Sequence, residues 1–235
     1  ESVGCKDWLT NKVDRCVGGK VAKQQCVGEL QLPLNNCGVM ALDYSTKHGV
    51  ATSIGHSPIS ALIDPNAGSK NSIAEALTNI IWAPIENGLK GVSLSANWMW
   101  PCKNEGEDAR LYKAVESVSK FAIELGINIP TGKDSLSMNQ KYEKIEVKSP
   151  GTVIVSATAH CNNIYNIIEP VFKLDKGSIF YINLSSDDFK LGGSAFSQII
   201  GSIGNNTPTI INSKYFVNVF ETIQKMIKNN LIVAG

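Results

Sequence analysis

Glu75 and Asn79, four residues apart in the stretch IAEALTN, are the part of this sequence best suited to chemistry. In a helix, such a pair stacks one turn above the other. A carboxylate beside an amide carbonyl offers two hard oxygen donors of the kind Mg2+ takes. The same pair serves equally well as a solvated polar face, and helix geometry alone does not choose between the two. A second polar cluster, Thr131 to Ser135 (TGKDS), gathers a glycine, a cation, a carboxylate and two hydroxyls. Lys133 and Asp134 there suit a loop at a phosphate or metal site, or a turn before the next strand. Asn35 and Asn36, just before Cys37, read locally as a turn. No residue is assigned a catalytic role.

Several elements must position these groups. A helix from about Ser69, its expected N-cap, to Trp82 follows a turn over Asp64 to Ser69 and puts Ile73, Leu77 and Ile80 on the face opposite Glu75. Val39–Tyr44 and Gly49–Ile54 read as a hairpin, with Ser45 to His48 as its turn. Lys90–Ser95 reads as a buried strand running into a loop over Ala96–Trp100. Asp108–Gly126 is an amphipathic helix with Leu111, Val115, Val118, Ala122 and Leu125 inward and Gly126 just past its end. Gly151–Ala159, nearly continuous in apolar and β-branched residues, reads as a central strand. After a break near Asp175-Lys176-Gly177, a fresh strand is expected over Ser178–Leu184. Helices are expected near Ala195–Ile200 and over Lys214–Lys228. The division that follows is a lead-in over residues 1–38, one domain over 39–172 and the start of another over 173–235.

Composition narrows the function classes. The chain has 235 residues, 43% hydrophobic and 18% charged, with a net charge of +1. That balance gives no basic field for nucleic acid. No apolar run reaches the roughly 18 residues of a membrane span. The six cysteines include no CxxC and no nearby histidine pair, which argues against zinc and for thiols in a reducing, cytoplasmic setting. The chain opens at Glu1 rather than Met and reads as a piece of a longer polypeptide.

Eight blocks in order carry a resemblance: LTNKVDRCVGGKVAKQQCVG, PLNN, IGHSP, DPNAGS, AEALTN, SANWMWPCKNEGEDARLY, TGKDSLSM and SPGTVIVSA, with LGGSAF further on. Together they resemble the second synthetase half of the large-type phosphoribosylformylglycinamidine synthases. The resemblance implies an α+β fold: an AIR-synthetase (PurM)-type N-terminal domain, with a mixed sheet and helices on one face, followed by an incomplete α/β C-terminal domain. It implies a ligase of de novo purine biosynthesis, using ATP and glutamine, whose second half holds an auxiliary ADP with Mg2+. Glu75 and Asn79 match two of that site's metal ligands. Asn36 stands at a third position, where the family has Asp, and a fourth ligand is expected beyond Gly235. Asn35 matches a position that touches the nucleotide, and Cys16 stands where Ser is usual. The implied partners are a small-molecule nucleotide, the first synthetase half and a glutaminase domain of the same polypeptide. An isolated half would leave a sheet face open, so a homodimer mimicking the two halves is expected. The competing readings are a non-catalytic interaction module with a vestigial nucleotide site and a standalone AIR-synthetase-like enzyme.

Overall fold

A computed structural model describes residues 19–23, 37–173 and 177–235 of the chain. Its centre is a six-stranded sheet: β1 (Val21–Lys23), β2 (Gly38–Ala41), β3 (Gly49–His56), β4 (Val92–Met99), β5 (Asn128–Ser135) and β8 (Thr152–Cys161) in the order β1-β2-β3-β8-β4-β5. Only β4 and β5 run parallel, so the sheet is mixed. The short strands β6 (Asn139–Lys141) and β7 (Glu146–Lys148) pair with each other apart from it. The expected central strand is indeed central, with β8 antiparallel to both β3 and β4.

The β2–β3 hairpin forms where alternation and turn residues place it. Asp43 closes the turn, its Oδ1 accepting from the Ser45 N–H at 2.8 Å and the Thr46 N–H at 2.6 Å. The Thr46 amide, then the Ser45 amide, hold its carboxyl down to about 2.

One face of the sheet is covered by helices. The short helix α1 (Pro58–Ile63) follows β3 directly. Helix α2 (Pro65–Ile80) begins four residues before the expected Ser69 start, because Asp64 caps it by accepting from the Asn66 N–H and Pro65 supplies the pre-set first position. The expected turn over Asp64 to Ser69 is therefore its first turn, and Ser69 is buried within the helix. Helix α3 (Glu107–Leu125) ends at Gly126, whose φ of 69° is the left-handed cap. Its inward face is Ala114, Val118, Phe121, Ala122 and Leu125, whereas Val115 stays exposed.

Two stretches expected as loop or turn are strands. Trp98 and Met99 continue β4, and TGKDS forms the second half of the edge strand β5. Gly132 permits this, since a Cβ there would sit 2.3 Å from the Ala96 carbonyl oxygen. An edge strand also tolerates charge, which blunts its open ladder.

Beyond β8, the expected strand over Ser178–Leu184 is absent. That stretch pairs with no strand among the described residues, and Phe180 is 81% exposed. A β-prone segment needs a ladder partner before its propensity is expressed. Helix α4 (Ala195–Ile199) forms near its expected place. The amphipathic helix α5 (Ser213–Lys228) joins the same hydrophobic core as the sheet, through Phe216, Phe220, Ile223 and Ile227. Phe216 meets Phe121 edge-on, with ring centroids 6.1 Å apart.

Buried Gln224 anchors that helix. Its Oε1 accepts from the Ile85 N–H at 2.8 Å, and its Nε2 donates to the Ile81 and Ala83 carbonyls at 2.6 and 3.1 Å. Truncation strands three buried backbone groups, so Gln224→Ala is expected to cost about 2–4 kcal/mol. Urea unfolding checks this: the midpoint falls well below that of the parent, while the exposed control Lys214→Ala leaves it within error.

Candidate functional site

The candidate site begins with a close approach of strand to helix. Ser53 and Gly55 point from β3 toward α2. A Cβ on Gly55 would lie 2.2 Å from the Ser72 carbonyl oxygen and 2.3 Å from the Ala76 nitrogen. No side chain fits between the two backbones, so this strand glycine marks contact rather than a turn. Beside it, the Ser53 hydroxyl donates to the Ala76 carbonyl at 2.6 Å.

That contact brings α2 to an open strand edge. β2 pairs with β3 only as far as Thr52. Past that point the Ile54 C=O and the His56 N–H, two residues apart, lie on the same side of the strand. Asn79 and Glu75 take them up. Asn79 Nδ2 donates to the Ile54 carbonyl at 2.9 Å, and the His56 N–H donates to Glu75 Oε2 at 2.5 Å. The i,i+4 spacing on α2 thus matches the two-residue spacing of free groups on β3. Glu75 is exposed and Asn79 half-buried. Among the described residues, nothing donates to Glu75 Oε1 or Asn79 Oδ1.

Two free oxygens at adjacent helical turns suit a hard cation as to donor type. Their charge is low, since Glu75 contributes the one carboxylate. Among the described residues, no group of three or more His, Cys, Asp or Glu side chains forms a metal cluster. A divalent ion here would need further negative oxygens, and phosphates meet that need for Mg2+. The donor set therefore fits a Mg-phosphate complex better than a bare ion. Asn35 and Asn36 lie outside the described residues.

Lys133 and Asp134 lie elsewhere. Both are exposed on β5, which is separated from β3 by β8 and β4. At the usual strand spacing that is about 14 Å across the sheet. Lys133 Nζ donates to Ser135 Oγ at 3.1 Å and stands in register with Asn97 on β4. Asn97 Oδ1 and Thr152 Oγ1 are buried without a hydrogen-bond partner at this end of the sheet. The structure thus joins Glu75 with Asn79, and separates them from Lys133 with Asp134. Sequence reading missed Ser53, Gly55 and the backbone groups of Ile54 and His56. The one signal for them was a glycine just past the expected strand Gly49–Ile54, which the structure extends to His56.

The FGAR-AT PurM_N-like domain model matches residues 5–160. A probable phosphoribosylformylglycinamidine synthase of Arabidopsis thaliana, described as chloroplastic/mitochondrial, is 43% identical over 236 residues, covering 100% of this chain and 17% of its own length. The Homo sapiens phosphoribosylformylglycinamidine synthase is 39% identical, again over 100% of this chain and 18% of its own. The chain thus spans less than a fifth of these relatives. Among solved structures, T. maritima PurL complexed with FGAR overlays with a TM-score of 0.58 at 14% identity, covering 86% of this chain and 30% of that one. The same protein complexed with ADP overlays at 0.51 with 16% identity, covering 72% and 25%. At such identities the overlays establish the fold: a PurM-like α+β architecture.

The Gly55 contact is open to a direct test. Gly55→Ala forces two backbones apart, and overpacking of this kind costs about 1–3 kcal/mol. Thermal unfolding should show a lowered Tm, with faster exchange of the His56 amide as Glu75 loses its reach. An unchanged Tm would mean the two backbones separate freely.

Proposed function

The chain belongs to the FGAR-AT PurM_N-like domain family, and from that membership we propose that it is part of a phosphoribosylformylglycinamidine synthase. The reaction of that ligase is the ATP- and glutamine-dependent conversion of formylglycinamide ribonucleotide to formylglycinamidine ribonucleotide. Within it, residues 39–172 act as the N-terminal domain of the second synthetase half, and residues 173–235 lead into the next domain, although α5 packs into the core of the first. The contribution of this segment is an auxiliary Mg-ADP site and a sheet face for the companion half. The glutaminase domain and the first synthetase half are its partners in the same polypeptide, in the cytoplasm.

One observation carries the site: Glu75 and Asn79 meet at the β3 edge, each with an oxygen left free. The ADP named with one PurL neighbour supplies the ligand class. Glu75 Oε1 and Asn79 Oδ1 would hold the ion, and Asn36 is proposed as a third ligand. A bound Mg2+ would neutralise the diphosphate charge. Asn35 would contact the nucleotide. Lys133 and Asp134, about 14 Å across the sheet from this pair, would meet the nucleotide only at a part remote from the ion. The rival reading, an interaction module with a vestigial site, draws on the single carboxylate.

Thermal shift separates the two. ADP with Mg2+ should stabilise the chain, by about 2.7 kcal/mol at a hundredfold excess over Kd. EDTA should remove the metal-dependent part, and Glu75→Ala should abolish it. No shift at millimolar ligand would leave the interaction module as the better account.

The sheet face away from the helices carries Thr52, Ile54, His56, Ser156, Thr158 and His160, all exposed. In the whole polypeptide this face would meet the companion half. For the chain alone, sedimentation at micromolar concentration should report a dimer that uses it. A clean monomer would refute that pairing.

A further inference from the structure

Resting on the Mg-ADP reading above, we propose that the free edge of β3 is the positioning element of the cation site. Each ligand side chain has two polar atoms, and β3 takes one of each. The His56 N–H engages Glu75 Oε2, which leaves Oε1 for the ion. The Ile54 C=O engages Asn79 Nδ2, which fixes the amide so that Oδ1 is the atom facing away. A free amide presents either end, and only its oxygen ligates a hard cation. The strand carbonyl removes that ambiguity. The Gly55 contact with Ser72 and Ala76, together with the Ser53 hydroxyl on the Ala76 carbonyl, holds strand and helix at the required separation.

This accounts for an amide at position 79, where a second carboxylate would bring more charge. Aspartate has no donor for the Ile54 carbonyl, and its carboxylate would be repelled by that oxygen. Charge counting and positioning therefore make opposite forecasts for Asn79→Asp. The extra charge favours tighter Mg2+ binding. Loss of the orienting hydrogen bond weakens it, by about 10–100-fold if this contact behaves as other orienting contacts of metal ligands do.

The experiment is a Mg2+ titration of the ADP-saturated chain, followed by NMR at the His56 amide and by its hydrogen exchange. Mg2+ should slow His56 exchange in the parent, because ligation through Oε1 tightens the Glu75 that holds it. Glu75→Gln keeps an acceptor for His56, so its amide stays protected while the Mg2+ response is lost. Asn79→Asp should bind Mg2+ more weakly, on a chain whose fold is checked by the rest of the amide spectrum. Should that variant fail to fold, Glu75→Gln still decides: a His56 amide as unprotected as in unfolded chain would overturn the positioning. A parent that responds to Mg2+ with Asn79→Asp binding more tightly would also overturn it, and leave the cation site standing. A parent without any Mg2+ response would overturn the cation site itself.

Discussion

The backbone contact at Gly55 is the constraint on which the site depends. With no Cβ in the way, α2 settles against β3 closely enough for short side chains to bridge them. Ser53, Glu75 and Asn79 each reach across. The helix is composed for such an approach. Gly68, Ser69, Ser72, Ala74 and Ala76 line its buried side, and Gly68 lets α1 come equally near at Ala61. The larger residues Ile73, Leu77 and Ile80 fill the space under the sheet instead. Small residues thus set the distance and large ones supply the burial.

A strand edge left open by its neighbour is a liability unless something pairs it. Here the pairing comes from side chains of a helix rather than from another strand. The groups that settle the edge are also those with a spare oxygen. In the proposed cation site, stability and ligand presentation would be linked, since each hydrogen bond that finishes β3 also orients a spare oxygen. The far end of the sheet is finished differently. There β5 is a largely exposed edge strand, with its lysine and aspartate in water.

Much of this was legible in the residues. The hairpin, the central strand, the long third helix and the terminal amphipathic helix follow from periodicity and turn chemistry. Glu75 and Asn79 stood out because helical spacing fixes their relation without tertiary information. What failed had tertiary causes. TGKDS has the composition of a turn, and its pairing with β4, where Gly132 lies against Ala96, makes it a strand. The start of α2 is set locally, because Asp64-Pro65, which also has the composition of a turn, is a better start signal than Ser69. Ser178–Leu184 has the composition of a strand but no partner among the described residues. The two clusters of site residues share no sequence signal for their distance apart, since strand order is a property of topology.

The two faces of the sheet obey different rules, and this bears on what the outer one can meet. Inward residues on β3 and β8 are small or apolar: Ala51, Gly55, Val153, Val155, Ala157. The outward set mixes threonine, serine and histidine with Ile54 and Ile154. Hydroxyls and imidazoles keep their partners in water, so such a face is stable while wet. Covering it with a purely apolar surface would strand those donors and acceptors. A companion sheet must therefore offer polar cross-pairs at Thr52, Ser156 and Thr158, with an apolar contact confined to the isoleucines. A second copy brings the same residues in reverse order, and that self-complementarity is what a two-fold interface requires. The polarity of the face and its self-complementarity thus suit the proposed partner of the same architecture better than an unrelated apolar one.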